Sequence, residues 1–179
     1  MRVLVVFESM FGNTHLVAER IARGLAGSGE VRVASVAEAT DDALAGRDLV
    51  VVGGPTHVHG MASARTRDAA REQAGREDAG LAMDPDAEGP MLREWFDGLT
   101  LPAGCRAAAF DTRLHGPAAL TGRASRGIAK RLERHGASLV APPESFFVGR
   151  DNHLDDGEAA RAEEWGASLA RASGAGGPG

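Results

Sequence analysis

The chain opens with a short apolar segment that leads through a polar turn into an amphipathic helix. Arg2–Phe7 reads RVLVVF, an apolar run without alternation, which is typical of a strand buried on both faces of a parallel sheet. Residues 8–14 read ESMFGNT, and Asn13 or Thr14 is predicted to cap the helix that follows. Apolar residues recur on this helix at spacings of three and four, at Val17, Ala18, Ile21, Ala22 and Leu25. Parallel α/β sheets are built from such strand–helix units.

The same alternation of strand and helix continues to the end of the chain. Four more strands are predicted, at 31–36, at 48–52, at 106–110 and within 138–148. The third is expected to stop at Gly53-Gly54-Pro55, and the fifth to bend at Pro142-Pro143. Helices are predicted at 41–45, 63–74, 91–99 and 120–135, with a last one carrying Ala162, Trp165 and Leu169 on its apolar side. The sequence therefore predicts an α/β fold, a single doubly wound sheet of five parallel strands with helices on both faces.

The length of 179 residues fits one domain, and 43% apolar residues suffice for one core. We predict a domain over residues 1–172 and a disordered tail at 173–179, which reads SGAGGPG. Residues 61–90 are rich in Ala, Arg, Asp and Gly. They are expected to form an insertion or flexible segment.

Charge and cysteine content argue against several classes of protein. A net charge of −5 gives no electrostatic reason to expect nucleic acid or an anionic membrane as partner. Cys105 is the only cysteine, so an internal disulfide or an iron–sulfur cluster is excluded, and a buried thiol is expected. His57 and His59 lack further ligands nearby, so no metal site is predicted. No apolar stretch approaches membrane-spanning length, and Met1 leads directly into the first strand, so a cytoplasmic location is expected.

The turn after the first strand carries the features of a phosphate-binding loop. A helix N-terminus presents unpaired backbone N–H groups and a partial positive charge. Ser9, Asn13 and Thr14 add side-chain donors, while Gly12 allows close backbone approach. The loop has no Lys or Arg and lacks both the G-x-x-x-x-G-K-[ST] and the G-x-G-x-x-G patterns. It suits the phosphate of a mononucleotide; the alternative is a tight turn with a helix cap and no ligand.

Two segments together resemble the flavodoxin family. Ser9–Thr14 is similar to its FMN-phosphate loop, [ST]-x-x-G-x-T, in the SMxGNT version, and Gly53–Thr56 is similar to its G-x-P-T segment. This resemblance implies strand order 2-1-3-4-5, with FMN bound at the crevice between strands one and three.

The resemblance also implies which residues contact FMN. They lie in three loops: Ser9, Met10, Phe11, Gly12, Asn13 and Thr14; then Pro55, Thr56, His57, Val58 and Gly60; then Asp111, Thr112 and Arg113.

Several of these residues carry a second interpretation. His57 stands where the family commonly has an aromatic residue. If it touches the ring, the flavin potential should depend on pH near 6.5; otherwise it is an exposed loop histidine. Arg113 or His115 is expected near the flavin N1–C2=O edge. Asp111 has two interpretations, either a flavin contact or a structural residue that pairs with Arg113 or caps a helix. Three arginines of the 61–90 segment could bind an anionic second substrate such as NADPH or form a solvated face: Arg65, Arg67 and Arg71.

Three functions follow from the resemblance. The favoured one is an FMN redox protein that transfers electrons between partner proteins. The second is an FMN-dependent NAD(P)H or quinone reductase, because Pro55, Thr56, Gly60 and Met61 form a P-T-x-x-x-G-M run similar to flavodoxin-like quinone reductases. The third is a binding module that lost the flavin, since the chain has no Tyr for stacking. A monomer or small homo-oligomer is expected.

Overall fold

Residues 1–57, 60–75, 82–117 and 121–174 are described by the computed structural model of the chain. Strands and helices follow one another in the order β1 (Arg2–Phe7), α1 (Asn13–Leu25), β2 (Glu30–Ser35), α2 (Asp41–Leu44), β3 (Leu49–His57), β4 (Gly60–Met61), α3 (Ala64–Ala74), α4 (Leu92–Gly98), β5 (Arg106–Leu114), α5 (Ala124–Arg134), β6 (Ser138–Leu139), β7 (Glu144–Val148) and α6 (Glu158–Gly174). Short 3₁₀ turns occupy 26–28 and 85–88. Among the helices of these ranges, none combines the length and apolar character that crossing a membrane requires.

The parallel sheet has five positions in the order β2-β1-β3-β5, followed by a fifth position that β6 and β7 share. β6 pairs with the start of β5 and β7 with its end. The predicted order 2-1-3-4-5 is confirmed. The prediction of five strands needs correction, because the described residues form seven strand segments. Pro142 and Pro143 lie between β6 and β7, and prolines have no N–H to donate to a ladder.

The seventh segment, β4, pairs antiparallel with the end of β3. β3 itself runs through Gly53-Gly54-Pro55 to His57, so the prediction that it stops at the glycines is wrong. A Cβ at Gly53 would lie 2.1 Å from the Phe110 ring, and one at Gly54 would lie 2.7 Å from Leu92. These glycines let the Phe110 and Leu92 side chains pack closely on β3, and they do not mark a reversal of the chain.

Helices cover both faces of the sheet, as predicted. α1 and α6 pack on one face, over a core that includes Val5, Phe110 and Phe146. α4 and α5 pack on the other, over Val6 and Val52. The apolar stripes of α1 and α5 are buried, whereas Leu120, predicted at the start of α5, lies outside the described residues.

The segment 61–90 is not uniformly an exposed insertion. α3 occupies 64–74, and Asp84 and Ala87 are buried. The Asp84 N–H donates to the Met10 carbonyl at 2.8 Å, which ties 82–90 to the loop after β1. Residues 76–81 lie outside the described ranges. At the other end, Ser173 is buried within α6, so the predicted tail starts no earlier than 175.

Candidate functional site

The loop between β1 and α1 leaves the N-terminus of α1 without a side-chain cap. Gly12 occupies the N-cap position with φ 88°, a left-handed conformation that favours glycine, and no side chain in the described part of the chain caps the helix. The prediction that Asn13 or Thr14 caps the helix is wrong, because both residues lie inside it. The backbone N–H groups of this turn are therefore available to an anion.

The loop's polar side chains hold its shape instead. Ser9 Oγ accepts a hydrogen bond from the Gly12 N–H at 3.0 Å. Asn13 Nδ2 donates to the Asn152 carbonyl at 2.9 Å, and the Thr14 and Thr112 hydroxyl oxygens are 2.7 Å apart. These contacts join the loop to the ends of β5 and β7, across the sheet.

A cleft of about 460 Å³ opens at the carboxyl edge of the sheet, beside this loop. Ten of the predicted contact residues line it together: Ser9, Met10, Phe11, Asn13, Thr14, Pro55, Thr56, His57, Thr112 and Arg113. Gly12, Gly60 and Asp111 are not among its lining residues, and Val58 lies outside the described residues. Ligands of open parallel sheets bind at this edge, next to the point where the strand order reverses.

Six further lining residues were missed: Gln73, Leu114, Val148, Gly149, Arg150 and Asn152. Most of them lie at or after the end of β7. The rule that ligands bind at the carboxyl ends of parallel strands could have indicated this loop. The sequence reads GRDN there, and Asn152 adopts φ 61°.

His57 lies at the end of β3, is partly buried and lines the cleft. Its Nε2 is buried and has no hydrogen-bond partner among the described residues. Burial lowers the pKa of His57 below its usual 6.5, because the charged imidazolium is poorly solvated there. Any pH dependence that this imidazole gives the site is therefore expected below pH 6.5 rather than around it.

Asp111 lies beneath the cleft and is fully buried. Its Oδ2 accepts from the Thr56 hydroxyl at 3.1 Å and from the Ser125 N–H at 2.7 Å. The Thr56 hydroxyl in turn accepts from the Ala124 N–H at 2.8 Å. The sequence left two interpretations open for Asp111. Its contacts fit the structural one, because they join β3 to the start of α5.

Arg113 is held over an aromatic ring at the β5 end of the cleft. Its Nη1 donates to the Gly116 carbonyl at 2.9 Å and to the Thr121 hydroxyl at 2.6 Å. The guanidinium lies 4.8 Å from the centre of the Phe147 ring, on which His115 also stacks at 4.3 Å. The ring beneath the Arg113 guanidinium belongs to the protein, so Arg113 is oriented by its own neighbours.

Glu8 lies directly before the loop, with its side chain buried. Its Oε2 accepts from the Leu92 N–H at 3.0 Å, and Arg67 Nη2 is 4.0 Å from Oε1. Burial raises the pKa of Glu8, even though the Leu92 hydrogen bond and the charge of Arg67 lower it. This cluster braces the end of β1 against α3 and α4.

The arginines of α3 bind acceptors within the protein. Arg67 Nη1 donates to the Gly89 carbonyl at 2.7 Å, and Arg71 pairs with Glu88 and with Asp68. None of the three, Arg65 included, lines the cleft. The structure thus gives Arg67 and Arg71 structural partners.

Comparison with known proteins gives a family match and many matches of fold. The sequence model of the Flavodoxin family matches residues 5–91, which include both motifs noted above. A flavodoxin from the domain Archaea superposes with a TM-score of 0.64 at 19% identity, covering 97% of this chain and 99% of that one. Oxidised flavodoxin 1 from Bacillus cereus gives 0.64 at 19% identity, with 96% and 98% covered. A flavodoxin, WrbA-like protein from Agrobacterium tumefaciens gives 0.59 at 17%, with 97% and 98% covered. Comparison with curated protein sequences gives no significant match.

Proposed function

Since the family model over residues 5–91 and the solved flavodoxins of the same fold assign this chain to the flavodoxin family, we propose that it binds FMN in the cleft and serves in electron transfer. The observation that carries the proposal is the uncapped N-terminus of α1. Ser9, Asn13 and Thr14 are bonded so that they fix the loop while leaving the N–H groups of the first turn free. A phosphate is the kind of group that such a turn binds.

The remaining residues of the cleft fit the rest of the cofactor. Pro55, Thr56 and His57 would lie along one side of the flavin ring, with Thr112 and Arg113 at its pyrimidine end. Bound FMN supplies the capacity to accept and release electrons. The protein's residues would position the cofactor, and Arg113 places positive charge at the β5 end of the cleft.

One residue that lines the cleft is exposed, which bears on how electrons would reach another molecule. Leu114 lines the cleft and is 53% exposed, and it is the one large hydrophobic side chain of the described ranges that is exposed. The exposure of Leu114 means that this end of the cleft is open, so a flavin bound there would be within reach of a partner protein. Redox partner proteins are therefore the proposed partners, and a cytoplasmic location stays a prediction.

One observation favours the second candidate, an FMN-dependent NAD(P)H or quinone reductase. Arg113 brings a buried positive charge to the cleft, and no carboxylate of the described ranges lies within 4.0 Å of it. Positive charge near the pyrimidine end stabilises reduced, anionic flavin, which raises the reduction potential. A raised potential suits an acceptor of electrons from a nicotinamide better than a strongly reducing carrier.

The test is the visible absorption spectrum of the purified protein, before and after incubation with excess FMN and desalting. Flavin bands that survive desalting support the proposal. Oxidation of NAD(P)H with a quinone by the flavin-loaded protein alone then indicates the reductase, whereas reduction only through a partner reductase indicates the carrier. Absence of retained flavin in both samples would contradict FMN binding and favour the flavin-free binding module.

A further inference from the structure

The charge of an FMN phosphate is incompletely balanced by the loop that would hold it. A phosphate monoester carries about −1.5 to −2 charges at pH 7, whereas a helix N-terminus supplies about +0.5. The loop itself contains no Lys or Arg. Among the described residues that line the cleft, the permanent cations are Arg113 and Arg150.

Arg150 lies on a loop that is bonded to the phosphate loop. Asn13, in the first turn of α1, donates through Nδ2 to the Asn152 carbonyl at 2.9 Å. The Arg150 loop is itself closed, since the Gly149 N–H donates to the His153 carbonyl at 2.8 Å and the Asn152 N–H donates to the Gly149 carbonyl at 3.1 Å. Both loops therefore form one rim of the cleft.

Arg150 also has a guanidinium free to reach a ligand at the proposed phosphate-binding loop, whereas that of Arg113 is fixed by its neighbours at the β5 end of the cleft. It is exposed, and no carboxylate of the described ranges pairs with it within 4.0 Å. The neighbouring Asp151 points Oδ2 toward His153 Nδ1, 3.5 Å away. Arg113, in contrast, is engaged by Gly116, Thr121 and the Phe147 ring at the far end.

We propose that Arg150 is a phosphate-binding residue that supplies, from the loop after β7, the cation that the phosphate loop lacks. The inference rests on the proposed function, since the phosphate is that of FMN. Arg150 distinguishes FMN from riboflavin, which has the same ring and ribityl chain without the phosphate. Its contribution depends on ionic strength, because the guanidinium is exposed.

The experiment compares Arg150→Gln and Arg150→Lys with Arg134→Gln, a control that removes the same charge. Arg134 is exposed at the C-terminal end of α5, shortly before β6 and thus near the amino end of β5, whereas the cleft opens at the carboxyl ends of the strands. Each protein is titrated with FMN and, separately, with riboflavin, and binding is followed by flavin fluorescence. We expect Arg150→Gln to weaken FMN binding about tenfold and to leave riboflavin unchanged. Arg150→Lys retains most of the affinity, because a lysine also binds phosphate.

Added salt should weaken FMN binding to the unchanged protein more than to Arg150→Gln. FMN affinity equal in Arg150→Gln and Arg134→Gln would overturn the inference while leaving the proposed function intact. Equal weakening of FMN and riboflavin would also overturn it, because Arg150 would then act on the ring or on the loop. If the unchanged protein binds neither ligand, the proposed function fails, and this inference fails with it.

Discussion

The two ends of the cleft differ in how their polar atoms are satisfied. At the proposed phosphate-binding end, formed by residues 9–14, the side chains of Ser9, Asn13 and Thr14 each have a partner among the described residues, and the backbone N–H groups of the first turn of α1 are free. At the ring end, His57 Nε2 and Arg113 Nε are buried without a partner among the described residues. The side chains of the loop at residues 9–14 thus hold its shape, and its backbone N–H groups are available to a ligand. The ring end holds side-chain groups that a ligand or water would have to satisfy.

This difference predicts which ligand each end recognises. A change at the phosphate end should affect FMN and spare riboflavin, since riboflavin has nothing to place there. A change at the ring end should affect both ligands equally, because they share the ring. Measuring both ligands for each variant therefore tests the comparison itself.

The largest effect is expected for Ser9→Asp. An aspartate can still accept from the Gly12 N–H, but it adds a negative charge beside the phosphate. FMN binding should fall by roughly 100-fold or more, with riboflavin binding changed far less. Ser9→Asn is the matched control, because it has the same size and an acceptor oxygen without the charge. Similar FMN affinities for the two variants, in fluorescence titrations, would argue against a phosphate at this loop.

A smaller effect, of opposite sign, is expected for His57→Phe at the ring end. The substitution removes a buried nitrogen without a partner and adds a larger aromatic surface. FMN and riboflavin should both bind roughly threefold to tenfold more tightly. Tightening of FMN alone in the same titrations would break the division between the two ends.

The smallest effect is expected in the pH dependence of the free energy of unfolding. A rise in pH should reduce the contribution of Glu8 and increase that of His57. Burial raises the pKa of Glu8, next to the phosphate loop, so its contribution to the free energy of unfolding is full below pH 4.5 and is lost as pH rises through the raised pKa. Burial lowers the pKa of His57, so its contribution is present above pH 6.5 and is lost as pH falls through the lowered pKa.

Denaturant unfolding across pH 4 to 8, a range about the ordinary pKa values of these groups, measures both contributions. Glu8→Gln should reduce the loss of stability on going up from acid pH, and His57→Phe should reduce the loss on going down from neutral pH. The same pH profile for Glu8→Gln and the unchanged protein would show that Glu8 does not titrate in the folded state as its burial implies.

The sequence predicted the features that depend on residues close together in the chain. Apolar runs located the strands, and the letters of residues 9–14 and 53–56, by resemblance, indicated the strand order and the cleft. The Asn13 cap was predicted wrongly because the side chain has a partner 139 residues away, at Asn152. Arg150 was missed although it follows the predicted fifth strand, where the rule for carboxyl ends of parallel strands indicates a ligand-binding loop. The end of β3 was misplaced because the packing of Phe110 on Gly53 has no local signal.

The divided fifth position of the sheet has a consequence for the chain's behaviour at high concentration. A long, flat outer strand offers a row of free N–H and C=O groups on which another molecule can add a strand, a common start of aggregation. Here β6 has two residues and β7 five, and the two prolines between them cannot donate to an incoming strand. The opposite edge, β2, is continuous but carries Glu30 and Arg32. The sheet thus discourages intermolecular strand addition by interruption at one edge and by charge at the other.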